Sequence, residues 1–346
     1  MRPLSILSCL CLAWMLAACG RGHLEQQESY VFGTRVEVLT WDSDEARAQD
    51  ALSAVLREFD RLHRTYHAWQ PSELTTLNAH LAQGEPAPVS PEMAGLITTA
   101  QRFEADSGGL FDPAIGALIS AWGFQRDEYT PHIPAPDLLR SLTAAHPRAG
   151  DVRIQDGVAS SRNRSVRFDF GGLAKGYALD RAVAILHEHG IRNALINIGG
   201  NIMALGSKGG TAWQVGIQNP RAAGPLATIS LYDGEAIGTS GDYQRYFELD
   251  GRRYSHLIDP RSGVPSEVSQ AATVLVTPRA AAGTLSDVAS KPIFLAGDDW
   301  PAQARRMGIE HVLRVKPDGS LELTAAMQAR LRWVGPAPRF ATRALP

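Results

Sequence analysis

Residues 169–204 read DFGGLAKGYALDRAVAILHEHGIRNALINIGGNIMA, joining a Gly-Gly turn, a lysine, a helix start and a second Gly-Gly turn in one stretch. That order commits the chain to a turn, a helix opening near Leu173 and a following strand, Ala194–Ile198. Glycines at 171 and 172 remove the Cβ atoms that would hold an anion off the backbone. The first helical turn would aim N–H groups and the positive end of the dipole at that anion, and Lys175 adds a point charge. The layout suits a phosphate ligand. It is neither GxxxxGK[ST] nor GxGxxG, since only two residues separate Gly172 from Lys175 and Gly176 follows. Taken alone, the segment is equally compatible with a plain strand–turn–helix carrying a surface lysine.

With 346 residues, 44% of them hydrophobic and 20% charged, the chain can bury one large core or two intimate ones. Its net charge of −2, with acids and bases interspersed, excludes the basic footprint of a nucleic-acid binder. Residues 1–18 read as a secretory signal: Arg2, an apolar run Leu4–Ala18, then Leu16-Ala17-Ala18-Cys19-Gly20, which is also a lipobox. The expectation is a lipidated Cys19 that anchors the domain to a bacterial membrane on its periplasmic side. The apolar run is too short for a spanning helix. Cys9 and Cys11 leave with the signal, so the mature chain has no pair of thiols for a disulfide.

Residues 19–29 are expected to be a polar tether, and residues 30–335 a single domain. Within it, Tyr30–Thr40 reads as a strand and Ser43–Tyr66 as a helix, with Leu52, Val55, Leu56, Phe59 and Leu62 at helical spacing. A loop is expected next. Ser90-Pro91-Glu92 opens a second helix that Gly108-Gly109 closes. Beyond Asp151 short strands dominate, separated by Asp156-Gly157, Asp233-Gly234 and Asp250-Gly251 turns. Ser165–Phe170 is one of these expected strands. The class is α+β.

Several further blocks stand out: Phe32-Gly33-Thr34, Pro71-Ser72-Glu73-Leu74 leading to Asn78, FDPAIGALISAWGF (111–124), TSGDYQRYFELDGRRYSHLIDPRSG (239–263) and SDVASKPIFLAG (286–297). In this order, and together with the 169–204 segment, they resemble the ApbE family, flavin transferases that move FMN from FAD onto a threonine or serine of a target protein. The resemblance covers about Tyr30 to Gly297. It implies an ApbE/T-fold-like domain, mostly antiparallel sheets flanked by helices, with the flavin site between two closely packed lobes. It also implies FAD as substrate, AMP as leaving product, and a partner that is a periplasm-facing respiratory or redox subunit carrying the acceptor hydroxyl. FAD hydrolysis to FMN and AMP, and FAD binding without turnover, are the other activities compatible with the same residues.

Carried over residue by residue, the resemblance makes Asp112 and Asp169 flavin and ribose contacts, roles their carboxylates suit as acceptors; helix capping and turn formation are the competing roles. Leu110 and Phe111 would line the same pocket. Phe32, where the family usually has methionine, and Trp69 would pack on flat ring faces. Gly171 and Lys175 would meet the pyrophosphate, with Leu257 beside His256. His256 is the general-base candidate, able as a neutral imidazole to take the acceptor hydroxyl's proton, and Asp259 could orient it across the Asp-Pro turn. His187 and His189 lie two apart on a helix and share no ligand face.

At its acidic end the sequence departs from the family. Where relatives commonly show Asp-Ala-Leu-Ala-Thr holding Mg²⁺, this chain has Asp287-Val288-Ala289-Ser290-Lys291. Two arrangements are open: Mg²⁺ on Asp287, the Gly172 carbonyl and the Ser290 carbonyl or hydroxyl with more water, or Lys291 paired with Asp287 and partly replacing the ion.

Overall fold

The computed structural model describes residues 22–126 and 128–346. The signal segment and Cys19 lie outside the described residues. A nine-stranded sheet forms the spine, in the order 23–31, 34–42, 194–198, 201–205, 236–241, 271–276, 311–315, 321–323 and 340–342. Every neighbouring pair is antiparallel except the last.

Strand alternation decides what each face buries. Ile196, Ile198, Met203, Val274 and Val276 point to one side, where helices Glu45–Thr65, Ala174–Glu188 and Ala282–Leu295 cover them. Ile202, Ala204, Leu275 and Leu313 point to the other, beneath a three-stranded sheet of residues 213–218, 225–231 and 331–333. Leu52, Val55, Phe59 and Leu62, all fully buried, supply the seam of the first helix; each such side chain contributes about 1.5–3 kcal/mol by leaving water. A third, smaller core joins Trp122 and Phe124 to Phe247, Tyr254 and Ile258, packing hairpin 246–255 on the short helix Gly116–Ala121. The α+β class and its mostly antiparallel sheets are as expected.

Helix boundaries follow their caps. Asp44 accepts from the Arg47 N–H at the start of the first helix. Ser90 accepts from Met93, and Gly108 closes that helix in the left-handed region at φ 67°.

Four expectations need correction. Residues 23–29 are not a tether but most of strand His23–Val31, the edge of the main sheet. Tyr30–Thr40 is not one strand: the chain reverses at Phe32 and Gly33, both at positive φ (57° and 68°), the signature of a tight hairpin that a phenylalanine at its first turn position disguises. The segment after Pro71 is a helix, Glu73–Gln83, opened by a Ser72–Thr75 capping box. Ser165–Phe170 forms only an isolated bridge, Arg167 to Ile115, before a 3₁₀ turn at Phe170–Gly172. Among the described residues no helix is long and apolar enough to cross a membrane.

Candidate active site

Two helices meet closely enough to exchange hydrogen bonds at their first turns. GYALD in helix Ala174–Glu188 and GTLSD in helix Ala282–Leu295 each place a glycine and an aspartate four apart, on one helical face. The Gly176 N–H donates to Asp287 Oδ2 at 2.8 Å, while Gly283 N–H and Thr284 N–H donate to the two oxygens of Asp180 at 2.9 Å each. Each helix thus satisfies first-turn donors of the other. Glycine is required at the crossing: a Cβ on Gly176 would lie 2.5 Å from the Gly283 carbonyl oxygen and 2.7 Å from Asp287 Cβ. Burial pushes the Asp180 carboxyl up from its ordinary value, against the hydrogen bonds from Thr284 and Gly283.

Asp287, 1% exposed, is the centre of the cluster. Its Oδ1 accepts from Lys291 Nζ at 2.6 Å and from Asn201 Nδ2 at 3.1 Å, and its backbone carbonyl takes a second bond from the same ammonium at 2.7 Å. Burial alone would raise the Asp287 carboxyl; the Lys291 and Lys175 ammoniums override it and hold the group below the usual carboxylate range. The Lys291 stem lies against the glycine turn, where a Cβ on Gly172 would sit 3.0 Å from Lys291 Cε and 3.2 Å from the Phe111 ring. Lys175 bends back to the Gly171 carbonyl at 3.2 Å.

The imidazole of His256 shares this electrostatic environment. Its Nδ1 is 3.1 Å from the Arg245 carbonyl oxygen, which can only accept, so Nδ1 carries the proton and Nε2 keeps its lone pair. Burial drives the His256 pKa well below the ordinary histidine value, and the charges of Arg245, Lys175 and Lys291 push the same way. Arg245 is itself fixed by Tyr129 Oη at 2.6 Å and the Phe124 carbonyl at 2.7 Å. At neutral pH His256 is a half-buried, neutral base.

Leu110, Phe111 and Leu257 are buried in the main core at the border of the cluster, and Phe32 and Trp69 pack on that core's edge. These last two are linked through helix Glu45–Thr65 and the loop after it: Phe32 meets His63 edge-on, His63 meets His67, and His67 meets Trp69, with ring centroids 5.8, 5.0 and 4.5 Å apart.

Other expected residues are engaged elsewhere. Asp259 does not orient His256; its carboxylate is held by Arg261 at 2.6–3.2 Å, because the Asp-Pro turn folds back on its own loop. Asp169 splits its oxygens between the Gly171 N–H and Gln125, fixing the 3₁₀ turn. Asp112 accepts from Ala114 and Ala149 N–H groups, and burial pushes its pKa up to about 7 despite them, with Glu104 adding to the rise. It lines a cleft of about 440 Å³ with Glu104, Arg148, Arg261 and Arg306.

A divalent ion held by the Asp287 carboxylate and the Ser290 hydroxyl does not fit this arrangement. Ser290 turns its fully buried hydroxyl to Ser240 Oγ (2.7 Å) and the Asp287 carbonyl (2.8 Å), because it lies on the sheet-facing side of the helix. An ion on Asp287 would also sit beside the Lys291 ammonium. Unit charges 4 Å apart interact by about 4 kcal/mol at an effective dielectric of 20, and a divalent ion doubles the repulsion.

Sequence reasoning missed Asp180, Asn201, Arg245 and Gln125. The repeated Gly-x-x-x-Asp spacing could have flagged Asp180 together with Asp287. Arg245 acts through its backbone carbonyl, which leaves no side-chain signature.

The ApbE family matches residues 32–313 of this chain. A FAD:protein FMN transferase of Rhodobacter capsulatus is 42% identical over 89% of this chain, which spans only 59% of that relative's length. The FAD:protein FMN transferase of Treponema pallidum is 33% identical over 75% of each chain. Among solved structures, the ApbE protein of Thermotoga maritima superposes with a TM-score of 0.82 at 29% identity, covering 90% of this chain and 100% of that one. The apo flavinyl transferase ApbE of Pseudomonas stutzeri gives 0.76 at 26%, over 89% and 97%. Sequence match and superposed fold both extend across the helix crossing and the histidine facing it, and this chain belongs to the ApbE family.

Proposed function

We propose that this chain transfers FMN from FAD to a threonine or serine hydroxyl of a target protein and releases AMP. The observation that carries this reading is the pairing of a neutral His256, its Nε2 lone pair free to act, with the Lys175 and Lys291 charges on the glycine turn. In the reaction the acceptor oxygen bonds to the FMN phosphorus, the bridging P–O bond breaks, and AMP leaves with the electron pair. The hydroxyl proton passes to His256 Nε2. Cations on the phosphoryl oxygens and fixed positioning lower the barrier.

The target we infer is a periplasm-facing respiratory or redox subunit, and the supporting argument is the Leu16–Gly20 lipobox, which would tether the domain at that membrane surface. Chromatography of a reaction containing FAD and the acceptor tests the chemistry. FAD should disappear with equimolar AMP and no free FMN. Accumulating free FMN would mean hydrolysis instead, and retained FAD without AMP would mean binding only.

A further inference from the structure

We propose that Lys291 is the resident cation of this site, its ammonium taking the place of the divalent ion that the ApbE family pattern implies, so that transfer by this chain requires no divalent metal. The inference rests on the FMN-transfer reading.

Three observations converge on it. Lys291 stands four residues after Asp287 on one helical face, and its ammonium reaches both the carboxylate (2.6 Å) and the carbonyl (2.7 Å) of that residue. An ammonium has three donors, and Asp287 takes two, which leaves one for a phosphoryl oxygen. The stem is threaded against Gly172, where the missing Cβ makes room for it, and the lysine side chain keeps 15% exposure while its partner's side chain keeps 1%. A lysine serving only as a structural counter-ion has no need to lie along the glycine turn.

Charge points the same way. Asp287 with Lys175 alone is neutral; with Lys291 the cluster carries a net positive charge toward a diphosphate, without any ion. The hydroxyl oxygen–phosphorus bond, the departing AMP and the proton to His256 balance as before, since the ammonium is neither consumed nor deprotonated. Of the groups expected to hold the ion, the Ser290 hydroxyl faces Ser240 instead.

The test compares wild type, Lys291→Thr and Lys291→Met after metal stripping, in EDTA and in Mg²⁺, reading AMP release together with stoichiometric Mn²⁺ binding by electron paramagnetic resonance. Wild type should turn over in EDTA within about 2-fold of its Mg²⁺ rate and bind no Mn²⁺ tightly. Lys291→Thr should lose about 100-fold in EDTA, recover with Mg²⁺ and bind one Mn²⁺, whereas Lys291→Met should stay impaired in both. A wild-type rate that collapses in EDTA and returns with Mg²⁺, or tight Mn²⁺ binding by wild type, overturns the proposal. The wild-type comparison holds even if a variant fails to fold. Absence of AMP release under both conditions would sink the transfer reading instead, and the Mn²⁺ measurement would still decide the role of Lys291.

Discussion

The Lys291 ammonium sits 2.6 Å from the Asp287 carboxylate at the crossing of two helices, with Gly176 N–H and Asn201 holding the same carboxylate. A buried carboxylate with a buried cation is costly to break on one side only, because the survivor is left unpaired. Asp287→Ala should therefore destabilise the protein by about 3 kcal/mol. Adding Lys291→Met to it should return part of that loss. Denaturant unfolding of the two single variants and the double variant checks the sign of the coupling, and strictly additive losses would contradict it.

His256→Asn should reduce the rate of FMN transfer by about 10²–10⁴-fold while leaving FAD binding nearly intact, since the imidazole moves a proton and is not the group proposed to meet the diphosphate. Single-turnover AMP release and FAD fluorescence quenching separate the two effects.

The depressed His256 pKa follows from burial first and neighbouring cations second. Removing one of those cations in Lys175→Met should raise it. Because the base is active when neutral, the acidic limb of the pH profile should move to higher pH in that variant; imidazole Cε1–H shifts in NMR would show the same change without turnover.

Asp259→Ala should leave the His256 titration unchanged, as the Arg245 carbonyl and not Asp259 holds Nδ1. A shifted titration in that variant would restore the orienting role suggested by the Asp-Pro spacing.

Asp112 offers a stability measurement. Its folded pKa of about 7 lies above the ordinary 3.8. Between those values the folded protein keeps a proton that the unfolded chain has released, so its contribution to stability falls as pH rises through that window. Asp112→Asn retains an acceptor for the Ala114 and Ala149 N–H groups and lacks the ionisation. Its unfolding free energy should exceed that of wild type at pH 8 by on the order of 4 kcal/mol, with a higher Tm, and the gap should close as the pH falls from 7 towards 4.

How much of this was legible in the sequence depended on whether the signal was local. Helix Pro91–Ser107 was readable from Ser90, Pro91 and Gly108 because caps act within a few residues. The Phe32-Gly33 hairpin was not, since phenylalanine carries no local preference for positive φ and its ring is held by Phe59 and His63 from elsewhere in the chain. Lys175, Gly172, Asp287 and Lys291 were legible as a group, as each carries its chemistry in its own side chain or lacks one where space is needed. Asp259 was misassigned because spacing along the chain cannot show that Arg261 captures it. The orienting group for His256 is a backbone carbonyl, and no residue type announces that.

In-gel flavin fluorescence of membranes from the native host, with tryptic mass spectrometry of any fluorescent band, tests flavin attachment most directly in cells carrying the intact gene, a deletion, or His256→Asn. The intact gene should give a band bearing FMN in phosphoester linkage to threonine or serine, and both altered strains should lose it. Identical bands in all three strains would contradict the claim that this chain attaches flavin to a protein.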